Sequence, residues 1–157
     1  MNSTSGGFIS RLVMAGLVTG VTDGLFSSVL VAFFYGSSVM RLWQGVASVL
    51  LGAPALDGGT RTAAIGLLMH FAVAFTWSAV FLVLLLASSW IRGVVASPSG
   101  ALALAAIYGP LIWMAMSLAI IPLFTHRPPT INVRWWIQFV GHIPFVAAPI
   151  VFTSRLP

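Results

Sequence analysis

The chain reads as an all-α integral membrane protein: four transmembrane helices in a bundle, with one short amphipathic interfacial helix between the first and second. Three observations predict this. Hydrophobic residues make up 59% of the 157 positions and charged ones only 6%, whereas a soluble domain carries about 25% charged residues. The mean hydropathy is +1.06. Four apolar stretches, about 12–35, 62–87, 102–124 and 135–153, are each long enough to cross about 30 Å of hydrocarbon at about 1.5 Å per residue. No stretch between them is long enough for a soluble domain, so residues 1–157 read as a single transmembrane domain.

The first segment is too long for a signal-peptide core, and it ends in Phe33-Phe34-Tyr35-Gly36 rather than a small-residue cleavage site, so it reads as a retained span. Gly16, Gly20 and Gly24 fall four apart within it, and Ser28 extends the row. Stacked on one helix face, these residues form a groove nearly free of side chains, against which a second backbone can pack closely. Asp23 sits beside the groove near the middle of the span. A carboxyl at that depth is costly in hydrocarbon, so it should face protein and have a partner.

After the first span, residues 38–52 are too few to cross. Val39, Leu42, Trp43, Val46, Val49 and Leu50 follow helical spacing on one face, with Arg41, Gln44 and Ser48 opposite. This pattern predicts a helix lying in the headgroup plane, with a re-entrant helix packed into the bundle as the alternative. The turn that follows offers Asp57 or Thr60 as a cap for the second span. There, Gly66, His70, Ala74 and Ser78 repeat every four residues, a small and polar stripe suited to the glycine groove. Gly109-Pro110 predicts a bend in the third span. Pro144 and Pro149 predict a kink in the fourth, since they free the carbonyls of Val140 and Phe145. Trp135-Trp136 has the look of an interfacial anchor, as do Trp43 and Trp90.

The net charge of +5 comes from seven arginines and two aspartates, with neither lysine nor glutamate in the chain. The arginines are scattered rather than clustered, which argues against nucleic acid as a partner. Four of them (Arg41, Arg61, Arg127 and Arg134) fall on one side of the bundle and three (Arg11, Arg92 and Arg155) on the other, a balance too even to orient it. The absence of cysteine removes disulfides and thiolate metal sites.

The glycine-rich first span with its intramembrane Asp23 resembles the small bacterial inner-membrane proteins called YagU-like. So do the runs Leu42-Trp43-Gln44-Gly45-Val46-Ala47-Ser48-Val49-Leu50-Leu51-Gly52, Gly58-Gly59-Thr60 and Gly66-Leu67-Leu68-Met69-His70-Phe71. The resemblance covers the first half of the chain. It implies a multi-pass protein of the bacterial inner (cytoplasmic) membrane with four helices, and it touches Asp23, Gly66 and His70. It supplies no reaction, substrate or cofactor.

His70 and His142 lie at similar depths below the four-arginine side, with Gln138 one turn before His142. Asp23, His70, Gln138 and His142 can therefore meet in one buried polar cluster. Its simplest use is structural, His70 giving a ring N–H to Asp23 or a backbone carbonyl. Two histidines on different helices can instead ligate a tetrapyrrole, haem or chlorophyll, making the protein a redox or photosynthetic subunit. An Asp–His pair can also serve a proton or small-solute pathway. No Gly-x-Ser-x-Gly or His-Glu-x-x-His motif occurs. The expectation is therefore a non-enzymatic protein without catalytic residues, metal or cofactor, an accessory subunit whose glycine-lined face packs against other membrane helices or a second copy of itself. The lipid bilayer is its surroundings.

Overall fold

A computed structural model describes residues 3–155, and it is helical throughout, with no strand among the described residues. Eight helices follow in chain order: α1 (Ser3–Val29), α2 (Val39–Leu51), α3 (Gly59–Ala87), α4 (Ser89–Val95), α5 (Pro98–Met114), α6 (Ile121–Thr125), α7 (Val133–His142) and α8 (Ala148–Ser154). Wide π turns extend α1 over Leu30–Phe34, join α5 to α6 over Ala115–Ile120, and join α7 to α8 over Ile143–Ala147. The result is four apolar helical runs long enough to cross a membrane: Gly7–Phe34, Gly59–Ala87, Pro98–Thr125 and Val133–Ser154. The protein is a multi-pass helical membrane protein.

Each run begins before the apolar stretch legible in the sequence, and in the third and fourth a polar side chain starts the helix outside it. Ser97 Oγ accepts the Gly100 N–H at 3.0 Å, and Asn132 Oδ1 accepts the Trp135 N–H at 3.2 Å. Caps of this kind satisfy the first orphan donors of a helix. The short α4, which apolar periodicity does not reveal, begins the same way at Ser88. At α3 the expected cap is corrected. Neither Asp57 nor Thr60 caps it, and Gly58 precedes it without a side-chain bond. Asp57 instead faces Arg41 at 3.6 Å, while Thr62 Oγ1 donates to the Ala55 carbonyl at 2.7 Å.

The first span is the centre of the bundle, packing on α3 along one face and on α8 and the turn before it along another. Gly16, Gly20 and Gly24 are all buried on the α3 side. Phenyl rings, rather than the small stripe of α3, fill the groove. A Cβ added at Gly16 would meet the Phe75 ring, and one at Gly20 the Phe71 ring. A flat ring laid in a side-chain-free groove buries more surface than two small faces would. Ser28 ends the row half-buried.

Gly66 serves a different helix. A Cβ there would overlap the carbonyl of Trp43, so Gly66 is where the backbone of α2 rests on α3. The amphipathic helix therefore forms where the sequence places it but lies against the first half of α3. Gln44, expected on its polar face, is buried beside Ala47, because its amide donates to the Gly59 carbonyl at 3.2 Å.

The fourth span follows its prolines. Pro149 cannot bond the carbonyl of Phe145, and Thr22 of the first span donates to that oxygen at 2.6 Å. The freed carbonyl thus becomes a link between spans. The widened turn of the third span lies at Ala115–Ile120, not at Gly109-Pro110, through which α5 continues. Gly109 instead allows close approach, since a Cβ there would meet the His142 carbonyl 2.5 Å away. Trp135, expected as an anchor, is buried and donates to Ser117 Oγ at 3.0 Å, tying the fourth span to the third. Trp90 and Trp136 are exposed.

The two ends of the bundle differ. Towards Arg92 and Arg155, Phe81, Leu82, Leu85, Tyr108, Val146 and Ile150 close a dry core. Tyr108 Oη donates across it to the Trp77 carbonyl at 2.8 Å, joining the second span to the third. Towards the four-arginine side, those two spans separate.

Candidate functional site

Where the second and third spans part, they leave a cavity of about 510 Å³. Its floor is polar: Thr19 and Asp23 of α1, His70 of α3, and Gln138 and His142 of α7 all line it, with Ser27 beside them. Its walls are Met69, Val73 and Trp77 on one span and Trp113, Met116 and Ile120 on the other. Leu42, Trp43, Val46 and Val49 of α2 form a roof. The lining reaches exposed positions at Leu50, Ala72 and Phe124, so the cavity opens sideways, on the apolar outer surface of the bundle. Its far end is the packed core around Phe81 and Tyr108.

The four residues that sequence reasoning grouped, Asp23, His70, Gln138 and His142, do share this one site. Their bonding is specific. His70 Nε2 lies 2.9 Å from the Gly20 carbonyl. A carbonyl only accepts, so Nε2 is the protonated nitrogen. Nδ1 then faces Asp23 Oδ2 at 3.9 Å, an ion-pair distance beyond direct hydrogen bonding. The Trp43 ring packs 5.1 Å from the imidazole and fixes it from the α2 side.

His142 is held by its own helix, Nδ1 donating to the Gln138 carbonyl at 2.7 Å, with the Trp113 ring 4.9 Å away. The two histidines therefore differ as potential ligands. His70 Nε2 is bonded to the Gly20 carbonyl while its Nδ1 faces the Asp23 carboxylate without a direct hydrogen bond, and His142 is bonded through Nδ1 alone. Joint axial ligation of a tetrapyrrole would require His70 to release the Gly20 carbonyl. Asp23, His70 and His142 do not converge as a metal-binding group among the described residues.

Two polar atoms on cavity-lining residues are buried without a partner: Asp23 Oδ1, an acceptor, and Trp113 Nε1, a donor. An unsatisfied buried polar group costs about 1–3 kcal/mol. Their presence on residues lining one cavity gives the site an unmet demand of both senses. Sequence reasoning missed Trp113 and Trp43 as parts of the site. Each sits in an apolar run with the spacing of an ordinary packing residue, and only the separation of the second and third spans exposes them to a common space.

No family model matches the chain, and neither does any curated protein or solved structure.

Proposed function

We propose that this protein is a membrane-embedded, non-enzymatic binding protein for a lipophilic small molecule carrying a hydroxyl or amino group. The ligand enters from the bilayer through the lateral opening, and its polar group pairs with Asp23 and Trp113. The observation that carries this reading is the pair of buried, unpartnered atoms, Asp23 Oδ1 and Trp113 Nε1, on residues of the polar floor and the apolar wall of one cavity. Pockets of about 300–1,000 Å³ with apolar walls and a few placed polar groups are the usual form of small-molecule sites. The closed core beyond the floor favours binding over a continuous proton path. An accessory role through the glycine face would require α3 to leave it, since Phe71 and Phe75 occupy that groove. The resemblance of the first half to YagU-like proteins supports the bacterial inner membrane as the location.

The test is native mass spectrometry of protein purified from its own membrane. A discrete small-molecule adduct should be retained by the unaltered protein and by Asp23→Asn, whose amide still offers an oxygen. It should be lost from Asp23→Leu. Spectra without adduct, or an adduct indifferent to Asp23→Leu, would refute the reading.

A further inference from the structure

A second cavity, of about 470 Å³, adjoins the first on the four-arginine side. The two share Val49, Trp113, Ile121 and Gln138 as lining, so they are neighbours with only these side chains between them. The outer part carries Arg127, Arg134, Thr130 and Asn132. Neither arginine has a carboxylate partner among the described residues. The two acidic residues are Asp57, which faces Arg41, and Asp23, which faces His70. The Arg134 guanidinium is held 4.3 Å over the Tyr35 ring, an arrangement that fixes its position without neutralising it.

The fourth span sets the spacing of the combined site. Arg134, Gln138 and His142 follow one another four residues apart on the regular helix α7, so they mark the outer pocket, the shared wall and the polar floor in turn. Eight residues of helix separate the first from the last by about 12 Å. A cationic mouth, an apolar passage and a polar floor match the chemistry of a single-chain amphiphile.

We propose that the combined cavity takes an anionic single-chain amphiphile, with a phosphate or carboxylate headgroup on Arg127 and Arg134 and the chain running inward beneath α2. This rests on the binding function proposed above and adds an anionic group to its ligand, at the opposite end of the chain from the hydroxyl or amino group at Asp23. A guanidinium and a phosphate or carboxylate form paired, charge-assisted hydrogen bonds, which strengthen away from water. A zwitterionic headgroup, which carries its own positive charge, matches the two arginines less well than an anionic one.

The probe is lysophosphatidate brominated on its acyl chain, titrated against the full-length protein in a neutral detergent. Exposed Trp90 and Trp136 are replaced by phenylalanine, so that quenching reports the four cavity-lining tryptophans, Trp43, Trp77, Trp113 and Trp135. The controls are brominated lysophosphatidylcholine of the same chain and inorganic phosphate as competitor. Lysophosphatidate should quench saturably and bind at least about tenfold more tightly than lysophosphatidylcholine, the advantage shrinking as salt is raised. Arg127→Gln with Arg134→Gln should abolish that advantage and leave lysophosphatidylcholine unchanged. Should the double variant fold poorly, the salt dependence in the arginine-bearing protein decides alone. Equal affinities for the two lipids at low salt, or displacement by inorganic phosphate as effective as by unlabelled lysophosphatidate, would overturn the proposal while leaving the cavity's binding role standing. Saturable quenching by neither lipid would overturn both.

Discussion

Replacing Gly66 with alanine tests how the roof of the cavity is held. An alanine Cβ at this position overlaps the carbonyl of Trp43 and crowds the amide of Ala47, both main-chain atoms of α2. A backbone cannot swing aside as a side chain can, so α2 must shift bodily from α3. Overpacking of this kind costs about 1–3 kcal/mol, against which alanine recovers up to about 1 kcal/mol of helix propensity over glycine. The net loss is about 1–2 kcal/mol, or about 2–8 °C in melting temperature for a chain of this size. Gly45 is the matched control, since it lies within α2 and a Cβ there meets nothing within 4 Å. Gly45→Ala should be neutral or stabilising. Thermal unfolding in detergent, followed by circular dichroism at the helix bands, measures both. If Gly66→Ala melted at or above Gly45→Ala, the packing of α2 on α3 would not be the contact described.

Three further outcomes follow from the same structure. Asp23→Leu should melt below Asp23→Asn by about 1–3 kcal/mol, because asparagine keeps a polar group towards His70 Nδ1 and leucine leaves that nitrogen buried alone. Thr22→Val removes the donor that satisfies the Phe145 carbonyl and should cost about 1 kcal/mol in detergent unfolding, whereas an unchanged melt would mean that Pro149's freed oxygen finds another partner. Nitroxide labels along α2 should report three environments by accessibility: water at Arg41, lipid-soluble oxygen at Leu50 and neither at Ala47. A uniform response would contradict its packing on α3.

Much of this arrangement is legible in the residues. Composition and apolar run lengths define four spans, and spacing already brings His70 and His142 to one depth, with Asp23 somewhat deeper and Gln138 one turn before His142. Pro149 and Phe145 show why a local rule carried so far. A proline removes a donor four residues after a known carbonyl, and only the identity of the replacement donor, Thr22, needed three dimensions. What the residues hide is which faces meet. Spacing leaves Phe71 and Phe75 as either packing or lipid-facing residues, and the structure uses them to fill the glycine groove, because a side-chain-free surface accepts a ring as readily as another small face. Gln44 reads as polar surface until the Gly59 carbonyl, fifteen residues on, is placed beside it. The cavity itself is invisible to periodicity, since it arises from the separation of two spans and not from any pattern within one.

The central claim is that the cavity binds a lipophilic molecule through a polar group at Asp23. It is tested most directly by titrating the protein, with Trp90 and Trp136 replaced by phenylalanine, with chain-brominated dodecanol, dodecylamine and dodecane. Quenching of the remaining cavity tryptophans is the readout. The alcohol and the amine should quench saturably and bind about tenfold or more tightly than the alkane, the difference expected of one buried hydrogen bond to a charged or strongly polar partner. Asp23→Leu should reduce both to the level of the alkane. Equal affinities for all three probes, or an alcohol whose binding survives Asp23→Leu intact, would contradict the account.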